Sequence, residues 1–312
     1  MSVFRRITGL VLIISIIFAF SACALDVDGE NADSKRNIQA AQGQEEVSAS
    51  QDTAADEPAE HESYNDVTID STVLVDQDGL KITASELVKD PIWGVGIKVL
   101  IENDTDMNLG VQCKSLIVNN YMISDLFSST VAAGKKANET IYLSSPGLEA
   151  AGIKTISDIV LSFHVFDGDS FEPLYDTEEI EIKTSAYGTV EQPALDDGTE
   201  LVNQDGIRII GKYVDEESFW GAAVLLFIEN NSGENIMVQC DNMSINGYMV
   251  MPFFSSTVYD GRMALDEITI MSSDLEENNI EKIEEIELIF RIINPETFET
   301  ILETDIVSFS VE

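Results

Sequence analysis

From residue 67 onward, apolar and polar positions alternate in short runs. Trp93, Val95, Ile97, Val99 and Ile101 occupy every second position, with Gly94, Gly96, Lys98 and Leu100 between them. A period of two places one set of side chains on a single face, so the run predicts a strand with one buried face. Trp220, Ala222, Val224, Leu226 and Ile228 repeat it, and there the other face is also apolar through Leu225 and Phe227. Ile159, Leu161, Phe163 and Val165, and again Ile286, Leu288, Phe290 and Ile292, predict a second pair of such strands. Asn246-Gly247, between Ile245 and Tyr248, is a two-residue hairpin signal, and Asn119-Asn120 stands in the same place earlier in the chain. Ser273 and Glu276 have the spacing of a capping box before a helical turn, and Ser145-Pro146 suits the first turn of a helix.

The whole pattern is written twice. VDQDGLKI (75–82) matches VNQDGIRI (202–209), WGVGIKVLIEN (93–103) matches WGAAVLLFIEN (220–230), and FSSTV (127–131) recurs at 254–258. Every pair is offset by 127 residues, without a gap through Phe171 and Phe298. The chain therefore divides into a first repeat (67–184), a joint with Gly, Pro and polar residues (185–196), and a second repeat (197–312). Each repeat shows about seven or eight strands and one helical turn, which predicts an all-β fold of two tandem antiparallel β-sandwiches.

The first 66 residues carry neither pattern. Arg5 and Arg6 precede an apolar run, Ile7 to Phe20, of 14 residues. At ~1.5 Å per residue that is about 21 Å, short of a ~30 Å bilayer core, and it reads as an export signal. Ser21 and Ala22 then lead into Cys23. Small residues directly before a cysteine resemble the bacterial lipobox, although Phe20 stands where an aliphatic residue is usual. The resemblance implies cleavage after residue 22 and a diacylglycerol on the Cys23 thiol, holding the chain to a lipid bilayer; cleavage after Ala24 and an uncleaved anchor are the alternatives. Residues 23–66 are rich in Asp, Glu, Ala, Ser, Gln and Asn, with too little apolar surface to offset ordering entropy. They are expected to form a disordered acidic tether, roughly 35 Å from end to end as a coil.

Charge narrows the partners. With 17 basic and 57 acidic residues the formal net charge is −40, which repels phosphate backbones and argues against nucleic acid. Two histidines, His61 and His164, and three cysteines leave little material for a zinc site or a His-based triad. No cofactor, metal site or catalytic residue is expected, and the chain reads as a non-enzyme.

The combined pattern WG–IEN–VQ–NGYM–FSSTV–SSDLE resembles the immunoglobulin-like domains of unknown function in bacterial surface lipoproteins. The resemblance covers residues ~70–312 and implies an immunoglobulin-like sandwich at the outer face of a cell membrane, without an activity or a site.

Several residues qualify as candidates. Cys113 and Cys240 stand at equivalent positions in VQCKSLIVNNYM and VQCDNMSINGYM. The hydrophobic phase shifts just after each, so a bulge near 114–115 is expected, with the thiols turned into separate cores as small apolar groups. A disulfide between equivalent positions of two sandwiches would violate the ~6 Å Cα spacing that such a bond needs. His164 alternates with Phe163 and Val165 and is replaced by Arg291 in the second repeat, which reads as surface. FSST lacks the nucleophile elbow. Trp93 and Trp220 are expected in the core, with a stacking platform for a sugar as the alternative. Asp167-Gly168-Asp169 has Asn294-Pro295-Glu296 as its counterpart in the second repeat, which makes a shared metal site unexpected. Met251 and Phe253, in a stretch apolar on both parities that Ser124 and Asp125 interrupt in the first repeat, are the candidate interface, with burial within the second repeat or against the first as the other reading. The expected function is display of two modules that bind or scaffold an envelope or host protein or a glycan. The alternative is an accessory or sensory subunit of an envelope complex, such as a transporter or wall-maintenance machine.

Overall fold

The computed structural model describes residues 67–192, 195 and 197–310. The expected signal peptide, Cys23 and the tether lie outside them. No helix among the described residues is long and apolar enough to cross a membrane.

Each repeat is an antiparallel β-sandwich. In the first, one sheet has the order β1 (Thr72–Gln77), β2 (Leu80–Asp90), β3 (Gly94–Asn103), β7 (Lys136–Tyr142). The other is built on β10 (Ile180–Lys183), β8 (Asp158–Asp167), β4 (Leu109–Val118) and β5 (Tyr121–Met122), with β6 (Ser128–Val131) on β4 and β9 (Pro173–Asp176) on β8. A helical turn, α1 (Ser145–Ala150), links β7 to β8. Crossing from the third strand to the fourth and back at the seventh is the connectivity of an immunoglobulin-like sandwich. Val95, Ile97, Val99 and Ile101 of β3 meet Ile159, Leu161, Phe163 and Val165 of β8 in one core, all nearly inaccessible. The alternation read from the sequence is thus the inward face of two packed sheets.

The second repeat copies this plan. Its first sheet runs β11 (Thr199–Gln204), β12 (Ile207–Ser218), β13 (Gly221–Asn230), β17 (Arg262–Met271). Its second contains β15 (Tyr248–Met249), β14 (Ile236–Ile245), β18 (Glu285–Ile293) and β19 (Thr300–Glu303), with β16 (Ser255–Val258) on β14 and β20 (Val307–Ser310) on β18. The helical turn is α2 (Ser272–Glu277). Among the described residues each repeat has ten strands rather than seven or eight. The excess is in two- to four-residue strands, too short to show a period.

Two local expectations meet different outcomes. The pairing of β4 with β8 slips between Cys113 and Ser115, the bulge that the phase change required. The capping box does not form: α2 begins after Met271, with no side-chain hydrogen bond at its cap. In the first repeat the Ser144 hydroxyl caps α1 by accepting from Gly147 N–H at 3.4 Å, with proline in the first turn.

The repeats are joined through a shared sheet. β5 of the first pairs in parallel with β17 of the second, Tyr121 opposite Met263 and Met122 opposite Ala264. One hydrogen-bonded path then runs β10-β8-β4-β5-β17-β13-β12-β11 across both repeats. Ile210 and Phe227, on the second repeat's outer sheet face, are buried in the first repeat's core cluster, with Met263 and Leu265 against it. Their equivalents in the first repeat are Thr83, Leu100, Lys136 and Asn138. The doubly apolar β13 is explained: one face makes its own core and the other receives the neighbouring repeat. The intervening chain is held as well, since Lys212 Nζ donates to Leu195 O at 3.0 Å and Asp197 O at 2.7 Å.

Candidate functional site

At one end of the first repeat, the chain between β5 and β6 stands away from the edge of β7 and leaves a groove of about 680 Å³. Ile92, Trp93, Leu126, Phe127 and Tyr142 supply its apolar walls; Asp125, Glu139 and several hydroxyls supply its polar groups.

Local chemistry places each wall. The Asp90 carboxylate accepts from the N–H groups of Ile92 and Trp93 at 2.8 and 2.9 Å, closing the turn between β2 and β3. Gly94 follows at φ 79°, where an L side chain is strained and a Cβ would collide with Ser145 Oγ. The alternating strand therefore starts after Trp93, and the indole is turned outward. It is 60% exposed, and Trp220 is 57% exposed. The core placement expected for both tryptophans is corrected: the alternation runs one residue past the true start of each strand. Trp93 leans on Tyr142 with ring centroids 6.1 Å apart, while Trp220 meets Phe219 edge-on at 4.8 Å.

The opposite wall depends on Asp125. Its Oδ1 accepts from Phe127 N–H at 2.9 Å, an Asx turn that holds the segment back from β7 and leaves Leu126 98% exposed. Burial raises the Asp125 carboxyl above the usual range, and the Phe127 N–H opposes that. Across the groove Glu139 accepts from Ser129 Oγ at 3.1 Å.

The second repeat closes the same place. Its segment reads Met251-Pro252-Phe253 where the first has Ser124-Asp125-Leu126. Proline, in the place of Asp125, has no side-chain oxygen to accept the turn's hydrogen bond, and it holds its predecessor extended. The extended segment bridges β17: Phe253 N–H donates to Thr269 O at 2.9 Å, and Thr269 N–H donates to Phe253 O at 3.0 Å. Thr269 is the equivalent of Tyr142. The candidate interface residues sit here on the surface, Met251 75% and Phe253 71% exposed.

The other candidates have structural partners. Cys113 and Cys240 are free thiols; Cys240 is buried and Cys113 half-buried. Burial pushes the Cys240 thiol up to about 12, and burial with the neighbouring Asp125 carboxylate raises Cys113 as well. Both are thereby poor nucleophiles. His164 is half-buried rather than freely exposed; its Nδ1 lies 2.6 Å from Asp176 Oδ1, and its ring stacks on Phe166. Asp167 Oδ1 accepts from Asp169 and Ser170 N–H at 2.8 and 2.9 Å, and Asn294 does the same for Glu296 and Thr297, so both are turn-closing side chains. No cluster of three metal-ligating residues occurs among the described residues.

Sequence reasoning found the differing stretch at 251–253 but missed the groove at 92–93, 124–127 and 139–142. The signal was available, since a segment that fills an edge in one repeat and is replaced in the other leaves that edge open.

No family model matches this chain, and no curated protein does. Among solved structures it is similar to the YadV chaperone at 11% identity and a TM-score of 0.23, covering 69% of this chain and 92% of that one. The Salmonella enterica SafA pilin in complex with the SafB chaperone matches at 11% identity and 0.19, covering 69% and 89%. A protein of unknown function from Porphyromonas gingivalis W83 matches at 10% identity and 0.21, covering 78% and 97%. Likeness at this level carries no argument about partners.

Proposed function

We propose that this protein is a non-enzymatic binding module displayed at the outer face of a cell membrane, with the groove beside β7 as its contact surface. The observation that carries the reading is the groove itself: about 680 Å³, walled by Trp93, Tyr142 and an almost fully exposed Leu126. Concave, mostly apolar sites with a few convergent polar groups are where proteins hold ligands. The suppressed thiols support binding over catalysis. The sequence before residue 67 supports lipid attachment at Cys23 and an acidic spacer that holds the sandwiches away from the bilayer. Two acyl chains would anchor the protein stably where one would not.

A photo-reactive amino acid at position 126, in cells that make the full chain, tests the surface. It should capture a partner, and Trp93→Ala should abolish that capture. Capture that persists in Trp93→Ala, or that occurs only from positions 251 and 253, would move the contact surface elsewhere. The exposed Met251, Phe253, Phe219 and Trp220 favour the second reading, a subunit of an envelope complex that uses the second repeat as its contact. Metabolic labelling with a fatty-acid analogue tests the anchor: the wild type should be marked and Cys23→Ser should not.

A further inference from the structure

Resting on the reading of the groove as the contact surface, we propose that it binds by strand addition. The upper edge of β7 takes an extended, basic, aromatic-bearing segment of a partner protein, which pairs with the backbone of Tyr142.

The second repeat shows what this edge is built to hold. Along β17 the outer edge is filled twice, by β5 at Met263 and Ala264 and by Phe253 at Thr269. Among the described residues the equivalent strand, β7, pairs with β3 alone and is the edge of its sheet. Leu143 N–H donates to Val95 O at 2.9 Å, so in the alternating antiparallel pattern the N–H and C=O of Tyr142 point away from β3, into the groove. Thr269 has the same phase, since Ser272 N–H donates to Trp220 O at 2.8 Å, and its outward groups are the pair that Phe253 satisfies. The backbone geometry that receives a strand is therefore present in both repeats and used internally in one.

A second copy of this chain does not fit. The contact between repeats could propagate only if β15, the exposed equivalent of β5, paired with β7 of another molecule. At that lower end β7 presents Lys135 and Lys136, and the neighbouring face presents Lys98, Thr83 and Asn138 where the second repeat has Leu225, Ile210 and Leu265. Lysines on an edge strand oppose pairing between copies. Toward Tyr142 the guard ends, and the aromatic walls begin. Asp125 and Glu139 flank that stretch in a chain of net charge −40, which selects a basic segment. Main-chain pairing would supply affinity and the groove would select the side chain.

The test uses the full chain and a lysine-flanked synthetic peptide of the sequence YMVMPFFSS, copied from residues 248–256. The peptide should bind and should slow hydrogen exchange at the Tyr142 amide. N-methylation of the residue equivalent to Phe253 should weaken binding about tenfold or more, because it removes one backbone donor and obstructs the pairing. Grafting the closing segment with Ser124→Met, Asp125→Pro and Leu126→Phe should abolish binding while the melting temperature is kept. Binding that needs Trp93 but ignores N-methylation overturns strand addition and leaves the groove as the contact. No binding, or binding unchanged in Trp93→Ala, overturns both. Concentration-dependent self-association that protects the Tyr142 amide without peptide makes a second copy the occupant and overturns the proposed partner.

Discussion

Asn120 and Arg262 clasp each other across the two repeats: Arg262 Nη1 donates to Asn120 Oδ1 at 2.9 Å, and Asn120 Nδ2 donates to Gly261 O at 3.0 Å. The backbone joins in, with Met263 N–H donating to Asn120 O at 3.1 Å, and Arg262 also reaches Glu179 at 3.2 Å. Hydrogen bonds, a parallel strand pair and the buried Phe227 therefore all couple the sandwiches. Arg262→Ala should lower stability by about 1–2 kcal/mol, through lost charge-assisted hydrogen bonds. Phe227→Ala, at a site 3% exposed, should cost about 3 kcal/mol or more. Chemical denaturation of the wild type should follow one transition, and the double variant should split it in two. A single transition retained in that variant would show that the repeats fold as one without this contact.

Buried Asn103 and Asn230 are twins. Asn103 Nδ2 donates to Met107 O at 2.9 Å and Val131 O at 2.8 Å, while its Oδ1 accepts from Thr105 N–H at 2.9 Å and Thr105 Oγ1 at 2.7 Å. Asn230 makes the same four bonds to Glu234, Val258 and Ser232. Each amide satisfies the turn after its IEN motif, inside the core. Asn103→Ala should cost about 2–4 kcal/mol, since buried carbonyls and a hydroxyl lose their partner. Asn103→Asp should be worse at neutral pH, because a carboxylate would face two carbonyl oxygens, and should recover part of the loss when acidified. Urea midpoints at pH 5 and pH 8 measure both.

Sequence pattern reached some of this and stopped at identifiable places. The bulge between Cys113 and Ser115 was legible because two inward phases, Val111 with Cys113 and Leu116 with Val118, cannot share an unbroken strand. The sandwich was legible because its inward faces repeat every second residue. Trp93 and Trp220 were not, since period-two reasoning cannot see the turn and positive-φ Gly94 that make the strand begin only after Trp93. The groove was not, because it consists of an unpaired edge at Tyr142, and pairing is a long-range property. The trace it left was the exchange of Ser124-Asp125-Leu126 for Met251-Pro252-Phe253, which was read for its apolar copy alone.

The two thiols give a residue-resolved test of burial. With Cys240 pushed up to about 12 and Cys113 raised by burial and Asp125, almost no thiolate exists at pH 8. Alkylation of the native chain at that pH, followed by peptide mapping, should leave both unlabelled, and labelling in urea should reach completion at both. Asp125→Asn should raise the rate at Cys113 and leave Cys240 unchanged. Rapid native labelling of either thiol would contradict its placement.

Asp176 should impose a pH dependence on the first repeat. Burial alone would raise its carboxyl, but hydrogen bonds from Lys114 at 2.7 Å and His164 at 2.6 Å outweigh that and hold it below the usual carboxylate range. A carboxyl depressed in the fold binds fewer protons there than in the unfolded chain. Its stabilisation is therefore complete above the unfolded value of about 3.9 and is lost as pH falls through the lower folded value. The pair is largely solvent-exposed, so the contribution should stay below about 1 kcal/mol. The difference in unfolding free energy between wild type and Asp176→Asn should shrink as pH falls from 5 toward 3. Salt should diminish it at pH 7, because the Lys114 attraction is screened. A difference that does not change between pH 3 and pH 5 would mean that Asp176 acts by packing and hydrogen-bond geometry, and that its charge adds nothing to the fold.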